Sequence, residues 1–151
     1  MDTGHAALRR GRFSATGQTY LVTFVTAGRR MHFASASVAQ DACRELANPL
    51  LWQRSRLLAW VLMPDHWHGL VEVGAFDALA ACVGRLKGRT ARHLRLRHGA
   101  LDKVWAAGYH DRAIRRDEDL VVAARYVVRN PVRAGLVARV GDYPYWDAVW
   151  V

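Results

Sequence analysis

Cysteine is almost missing from this chain: Cys43 and Cys82 stand far apart with no Cys-x-x-Cys pair, which argues against a disulfide framework and against a zinc knuckle. Both read as small buried residues. Lysine is scarce as well, since only Lys87 and Lys103 share the 22 basic positions with arginine. Acidic residues number 13, leaving a net charge of +9. No apolar run approaches the roughly 20 residues of a membrane span, and the first residues lack the apolar core of a signal peptide, so the expectation is a cytoplasmic protein with no membrane partner. There are no internal repeats and no proline- or glycine-rich linker. The 151 residues therefore read as one domain, 1–151, long enough to bury a core, and a hydrophobic content of 52% argues against disorder.

What is plentiful is arginine. A guanidinium forks onto phosphate oxygens and stacks on flat rings, so the excess points to a polyanionic partner, nucleic acid ahead of membrane. A codon usage rich in arginine and alanine would produce part of the same excess. Residues 1–17, with Arg9, Arg10 and Arg12, read as a flexible basic arm.

Gln18 to Thr26 alternates β-branched and aromatic residues and predicts a strand. Ala34 to about Arg54 has helical spacing in Val38, Ala42, Leu46 and Leu50, with Pro49 either ending the helix near Ala47 or opening a new turn. Arg56 to Met63 is a short apolar run bounded by Pro64-Asp65, a central strand that returns antiparallel as His66 to Val73. Ala78 to His98 is a helix buried through Leu79, Val83, Leu86 and Leu94, capped by Asp77 and ended by Gly99. Val104 to Ile114 predicts a fourth strand. Asp117-Glu118-Asp119 would open a last helix running to about Asn130, before Pro131. The tail from Val132 reads as irregular packing. The order is that of an α+β, ferredoxin-like split βαβ fold with a four-stranded antiparallel sheet, plus an additional C-terminal helix. Two long helices would cover one sheet face and leave the other for a site.

Two features carry chemistry. His66 and His68 sit two apart on a strand and so point to the same face, with Trp67 opposite. Such a pair is either a solvated strand face or half of a metal site. Tyr126 and Asn130 are four apart on the last helix and share a face, one turn apart. Singly, they would serve as a rim tyrosine and a helix cap. Jointly with the histidines they could converge on one ion, a mixed nitrogen and oxygen site suited to Mg²⁺ or Mn²⁺ that would polarise a phosphodiester while the tyrosine oxygen attacks phosphorus.

His66-Trp67-His68 within VLMPDHWHGLVEV resembles the His-hydrophobic-His motif of the HUH-class single-tyrosine transposases, specifically the REP-associated tyrosine transposases and their transposase-17-like relatives. Ala124 to Val137, ARYVVRNPVRAGLV, is similar to that family's tyrosine-bearing segment. Trp105 to Arg115 and Leu86-Lys87-Gly88 resemble its intervening elements. The resemblance implies that His66, His68 and Asn130 are metal ligands and Tyr126 the nucleophile. It further implies a metal-dependent endonuclease and strand transferase that cuts single-stranded DNA beside a hairpin through a 5′-phosphotyrosine link, with no small-molecule cofactor, acting as a monomer or a homodimer. Arg9, Arg10, Arg12, Arg85, Lys87, Arg89, Arg92 and Arg115 are the expected DNA-binding residues, and Trp67, Trp105 or Tyr109 could stack on unpaired bases or pack in the core, core packing being the favoured reading for Trp67, which points away from the histidines. A non-catalytic protein that binds DNA or RNA hairpins, and a nuclease that uses water, are the alternative readings.

Overall fold

A computed structural model describes residues 17–99, 101–115 and 118–151. β1 (Thr19–Val25), β2 (Ser55–Met63), β3 (His66–Val73), β4 (His110–Ala113) and β5 (Trp146–Ala148) form one antiparallel sheet in the order β4-β1-β3-β2-β5. α1 (Ala36–Leu46) and α2 (Leu79–His98) link the strands, and α3 (Leu120–Val128) is followed by the short α4 (Asn130–Arg133). The 4-1-3-2 core is the split βαβ order. The four-stranded expectation is corrected by β5, which adds to the free edge of β2 through Ala59–Ala148, Trp60–Asp147 and Val61–Trp146. Three residues are too few to show a period, so pairing with an open edge, not local pattern, makes this strand.

The register sorts every strand residue to one of two faces. Phe24 lies opposite Trp67 and Trp67 opposite Leu62; this row faces α1 and α2 and joins Val22, Val71, Leu86 and Leu94 in the main core. The neighbouring row runs His110, Thr23, His68, Val61, Trp146 across all five strands, on the opposite face. That second face is not wholly open. α3 and the tail cover its β2 side, where Leu58, Ala59 and Leu70 pack on Ala123 and Ala124.

Helix ends follow local chemistry. α1 stops at Leu46, and Pro49 opens a separate 3-10 turn to Trp52, its start capped by the Asn48 carboxamide on the Leu50 amide. α3 starts later than expected, at Leu120, because Asp119 is its N-cap, accepting from the Val121 amide at 2.8 Å. Glu118 lies outside the helix and pairs with Arg112, while Asp117 falls outside the described residues. α3 also ends earlier, at Val128: Pro131 has no amide hydrogen to donate back, and the chain restarts as α4 with that proline in its first turn. β4 is confined to His110–Ala113; Trp105 contributes an isolated bridge to Thr26. Among the described residues no helix is long and apolar enough to cross a membrane.

Candidate active site

The Pro64-Asp65 turn joins β2 to β3 so tightly that Met63 pairs with His66. His66 and His68 then share a face, ring centroids 4.6 Å apart and nearly perpendicular. Each ring is held by its Nδ1. The Asp65 carboxylate lies 2.7 Å from His66 Nδ1, and the Thr23 hydroxyl lies 2.7 Å from His68 Nδ1 across the β1–β3 pair. This leaves Nε2 of each ring as the nitrogen with which to bind, the arrangement by which an outer carboxylate or hydroxyl orients a metal-ligating imidazole.

Asp65 is itself held. Its second oxygen lies 3.1 Å from Arg29 Nε, and its carbonyl accepts from the Thr26 amide at 2.9 Å. Arg29 has φ 55, the one non-glycine residue in the left-handed region among those described, beside Gly28 at φ 64. Such strain persists only where surroundings enforce it. Partial burial raises the Asp65 carboxyl, but the His66 hydrogen bond and the charges of His66 and Arg29 outweigh this and hold it below its ordinary value. His68 is pushed down to about 3, first by burial and then by the positive charges of His66, Arg133 and Arg29, so it stays a neutral imidazole at any working pH.

The last turn of α3 packs on β2, at the residues paired with the histidines. Val127 packs with Val61 and Met63, which are the cross-strand partners of His68 and His66. Tyr126, adjacent in sequence, is 55% exposed. Of the five tyrosines it alone is exposed: Tyr20 is buried, Tyr109 and Tyr145 are half-buried, and Tyr143 is buried with its hydroxyl donating to Leu62 O. Burial pushes the Tyr143 phenol up, away from use as a nucleophile. The Arg133 guanidinium lies 4.0 Å from the Tyr126 ring centroid and donates to the Tyr126 carbonyl at 2.7 Å. Asn130 is half-buried at the start of α4. Among the described residues no three His, Cys, Asp or Glu side chains gather to hold an ion. Two imidazoles tethered through Nδ1, each with Nε2 left to bind, fit use as ligands of an ion.

The expected DNA contacts divide differently. Arg9, Arg10 and Arg12 lie outside the described residues. Arg85 is bound in a fork to Asp77 at 3.0 and 2.6 Å, and Lys87 donates to the carbonyls of Ala106 and Gly108. Both are tied to the fold. Arg89 is exposed, 3.8 Å from Glu45, and lines an open groove with Arg92, His93 and Leu96. α2 packs on the face opposite the histidines, so these arginines are remote from the pair. Arg115 lies at the edge of β4, 4.0 Å from Glu118. Trp67 takes the core position favoured for it, fully buried on Phe24, and the stacking role for Trp105 is corrected, since it is buried and meets the same ring edge-on.

Sequence reasoning passed over Thr23, Arg29, Asp65 and Arg133. Asp65 had a signal in its position directly before His66, and Arg133 in its place three residues after Asn130. Thr23 and Arg29 had none, because their contacts depend on strand register.

The family described as Transposase IS200 like matches residues 14–130. No curated protein matches the chain by sequence. Among solved structures, the REP-associated tyrosine transposase bound to a REP hairpin is similar at a TM-score of 0.69, with 22% identity over 89% of this chain and 79% of that one. A transposase-like protein from Deinococcus radiodurans gives 0.54, with 19% identity over 77% of this chain and 92% of that one. A bacterial tRNA(His) guanylyltransferase-like protein in complex with GTP gives 0.50, with 10% identity over 95% and 80%. At these identities the structural likenesses show a common fold.

Proposed function

The chain belongs to the IS200-like transposase family, and from that premise we propose that it is a metal-dependent strand transferase that cleaves single-stranded DNA beside a hairpin through Tyr126. The observation that carries the reading is the packing of Val127 on Val61 and Met63, which sets the turn bearing Tyr126 beside the strand positions of His68 and His66. The hairpin substrate is suggested by the similar transposase that is bound to one and by the net charge of +9.

In this reading His66 and His68 present Nε2, and Asn130 its carboxamide oxygen, to Mg²⁺ or Mn²⁺. The ion, when bound, would draw electron density from a phosphodiester and neutralise charge that builds in the displacement. Asp65 and Thr23 keep the two rings in one tautomer and one orientation. The Tyr126 oxygen forms a bond to phosphorus as its proton leaves to solvent, and the bond from phosphorus to the 3′ oxygen breaks, that oxygen leaving as a hydroxyl once protonated. The 5′ end stays on the protein. Because the phosphodiester energy is kept in the new link, attack by a 3′-hydroxyl reverses the step without a nucleotide cofactor.

A hairpin oligonucleotide with single-stranded flanks, incubated in Mn²⁺ or Mg²⁺, tests it. The expected product is a protein–DNA adduct that survives denaturation and disappears in Tyr126→Phe and His66→Ala. An undiminished adduct in Tyr126→Phe refutes the assignment. Cleavage without adduct would mark a nuclease that uses water, and tight binding without cleavage in any metal would mark a hairpin-binding protein.

A further inference from the structure

Tyr126 poses a problem for any chemistry assigned to it. Its ring is more than half exposed, and an exposed phenol on a helix surface samples several rotamers. An attack on phosphorus needs the oxygen in one place, and a displacement of about 1 Å can cost ~10²-fold in rate. Among the described residues, the Arg133 guanidinium lies over its ring.

The backbone is arranged to deliver that contact. α3 stops at Val128, Arg129 carries φ −84 and ψ 0, and Pro131 restarts the chain as α4. Gly135, at φ 76, closes the segment, with the Leu136 amide returning to the Pro131 carbonyl at 2.9 Å. Arg133 is therefore held seven residues beyond Tyr126, and its long side chain reaches back to place the guanidinium carbon 4.0 Å from the ring centroid and one N–H on the Tyr126 carbonyl. Beyond the one N–H on the Tyr126 carbonyl, a guanidinium carries further N–H groups with which to meet a phosphate oxygen.

We propose that Arg133 is the positioning residue of this site: its guanidinium docks the Tyr126 ring beside the histidine pair and offers its remaining N–H groups to the phosphate that the tyrosine oxygen attacks. The proposal rests on the strand-transfer reading above for its phosphate, but its ring contact does not. Planarity is the essential property. A lysine would keep the charge and lose the planar, delocalised group that can stack on a ring.

Single-turnover adduct formation on a hairpin oligonucleotide in Mn²⁺, together with oligonucleotide affinity by fluorescence anisotropy, separates positioning from charge. Arg133→Ala is expected to slow adduct formation about 10²-fold while affinity falls by less than about 5-fold, a single phosphate contact among many. Arg133→Lys should recover the affinity and leave the rate slow. Full rate in Arg133→Lys, or a loss of affinity as large as the loss of rate in Arg133→Ala, overturns the proposal. A second measurement needs no DNA: with 3-fluorotyrosine incorporated, the resonance of residue 126, assigned through Tyr126→Phe, should shift and narrow in both Arg133 variants as the ring is freed. An unmoved resonance overturns the ring contact. If the resonance shifts in the Arg133 variants while the wild-type protein forms no adduct, strand transfer is refuted and the docking upheld.

Discussion

The Thr23 hydroxyl and His68 Nδ1 lie 2.7 Å apart on directly opposed residues of β1 and β3. The pair couples sheet register to ring orientation, since a slip of one residue would send the threonine to the other face. Thr23→Val keeps shape and strand preference and removes the oxygen. The variant should remain folded, with a melting temperature within a few degrees of the parent. The Mn²⁺ concentration for half-maximal adduct formation should rise about 10- to 100-fold, the usual cost of losing an outer partner of a ligating imidazole. Equal metal dependence in parent and variant would show that Thr23 does not orient His68 for binding.

Arg29 occupies a conformation that costs a side chain. With φ at 55 it is held by the Asp65 carboxylate, and exposed ion pairs of this kind contribute at most about 1 kcal/mol. Glycine is at ease in the left-handed region and alanine is not. Arg29→Gly should therefore be more stable than Arg29→Ala by about 1 kcal/mol, read as a difference in urea midpoint. Both variants lose the charge that holds Asp65 toward His66 and should show the same weakened metal response. Equal midpoints would mean that the loop relaxes out of this conformation when the arginine is gone.

Much of this architecture is written in period and type. Alternation in β3 put His66 and His68 on one face, and the stripe Leu79, Val83, Leu86, Leu94 identified the buried side of α2. What escaped had physical reasons. β5 is three residues long and owes its state to the free edge of β2. Arg85 and Lys87 lie at positions that look solvated on a helical wheel, yet Asp77 from the preceding turn and two carbonyls from the loop before β4 claim them. Trp105 announced an aromatic ring but not its side of the sheet, and the ring went to Phe24. At the candidate site the shared face of the two histidines was legible in the strand period, whereas the residues that hold their rings were not. A holder is defined by a contact across strands or around a turn, which no single stretch of sequence displays.

Asp41 predicts an acid limit for the fold. Buried on α1, it accepts from Arg44 at 2.6 Å and meets His98 and Arg97 of α2 at 2.7 and 3.3 Å, tying the two helices together. The Arg44 hydrogen bond holds the carboxyl at about 2, from an ordinary 3.8, against burial that raises it and with His98 and Arg97 assisting. A carboxyl depressed on folding adds stability that is complete above its unfolded value and is lost as pH falls through the folded one. The contribution is on the order of 2 kcal/mol above pH 5 and fades between about pH 4 and 2. Urea unfolding at pH 6 should show Asp41→Asn less stable by roughly that amount, with the gap to the parent closing by pH 2. A gap that persists unchanged at pH 2 would assign the loss to packing, not to charge.

Gly69 explains why the histidine strand reads His-Trp-His-Gly. A Cβ built at this position would fall 2.0 Å from Cη2 of Trp67 and 2.6 Å from two more atoms of its ring. The indole of Trp67 folds over the glycine, fully buried, and stacks on Phe24 at 4.9 Å, so it has no room to withdraw. The position between the histidine strand and the helices is thus closed to any side chain. Gly69→Ala should cost about 1–3 kcal/mol through overpacking, a fall of roughly 3–10 °C in melting temperature for a chain of this size. Replacing the indole with a smaller ring makes the space, so the double variant Gly69→Ala with Trp67→Phe should lose less than the sum of the two single losses. Strictly additive losses would mean that the alanine is accommodated by backbone movement in β3 and not by contest with the indole. In that case the His66 and His68 rings would move with the strand, and the metal response of Gly69→Ala alone would fall with them.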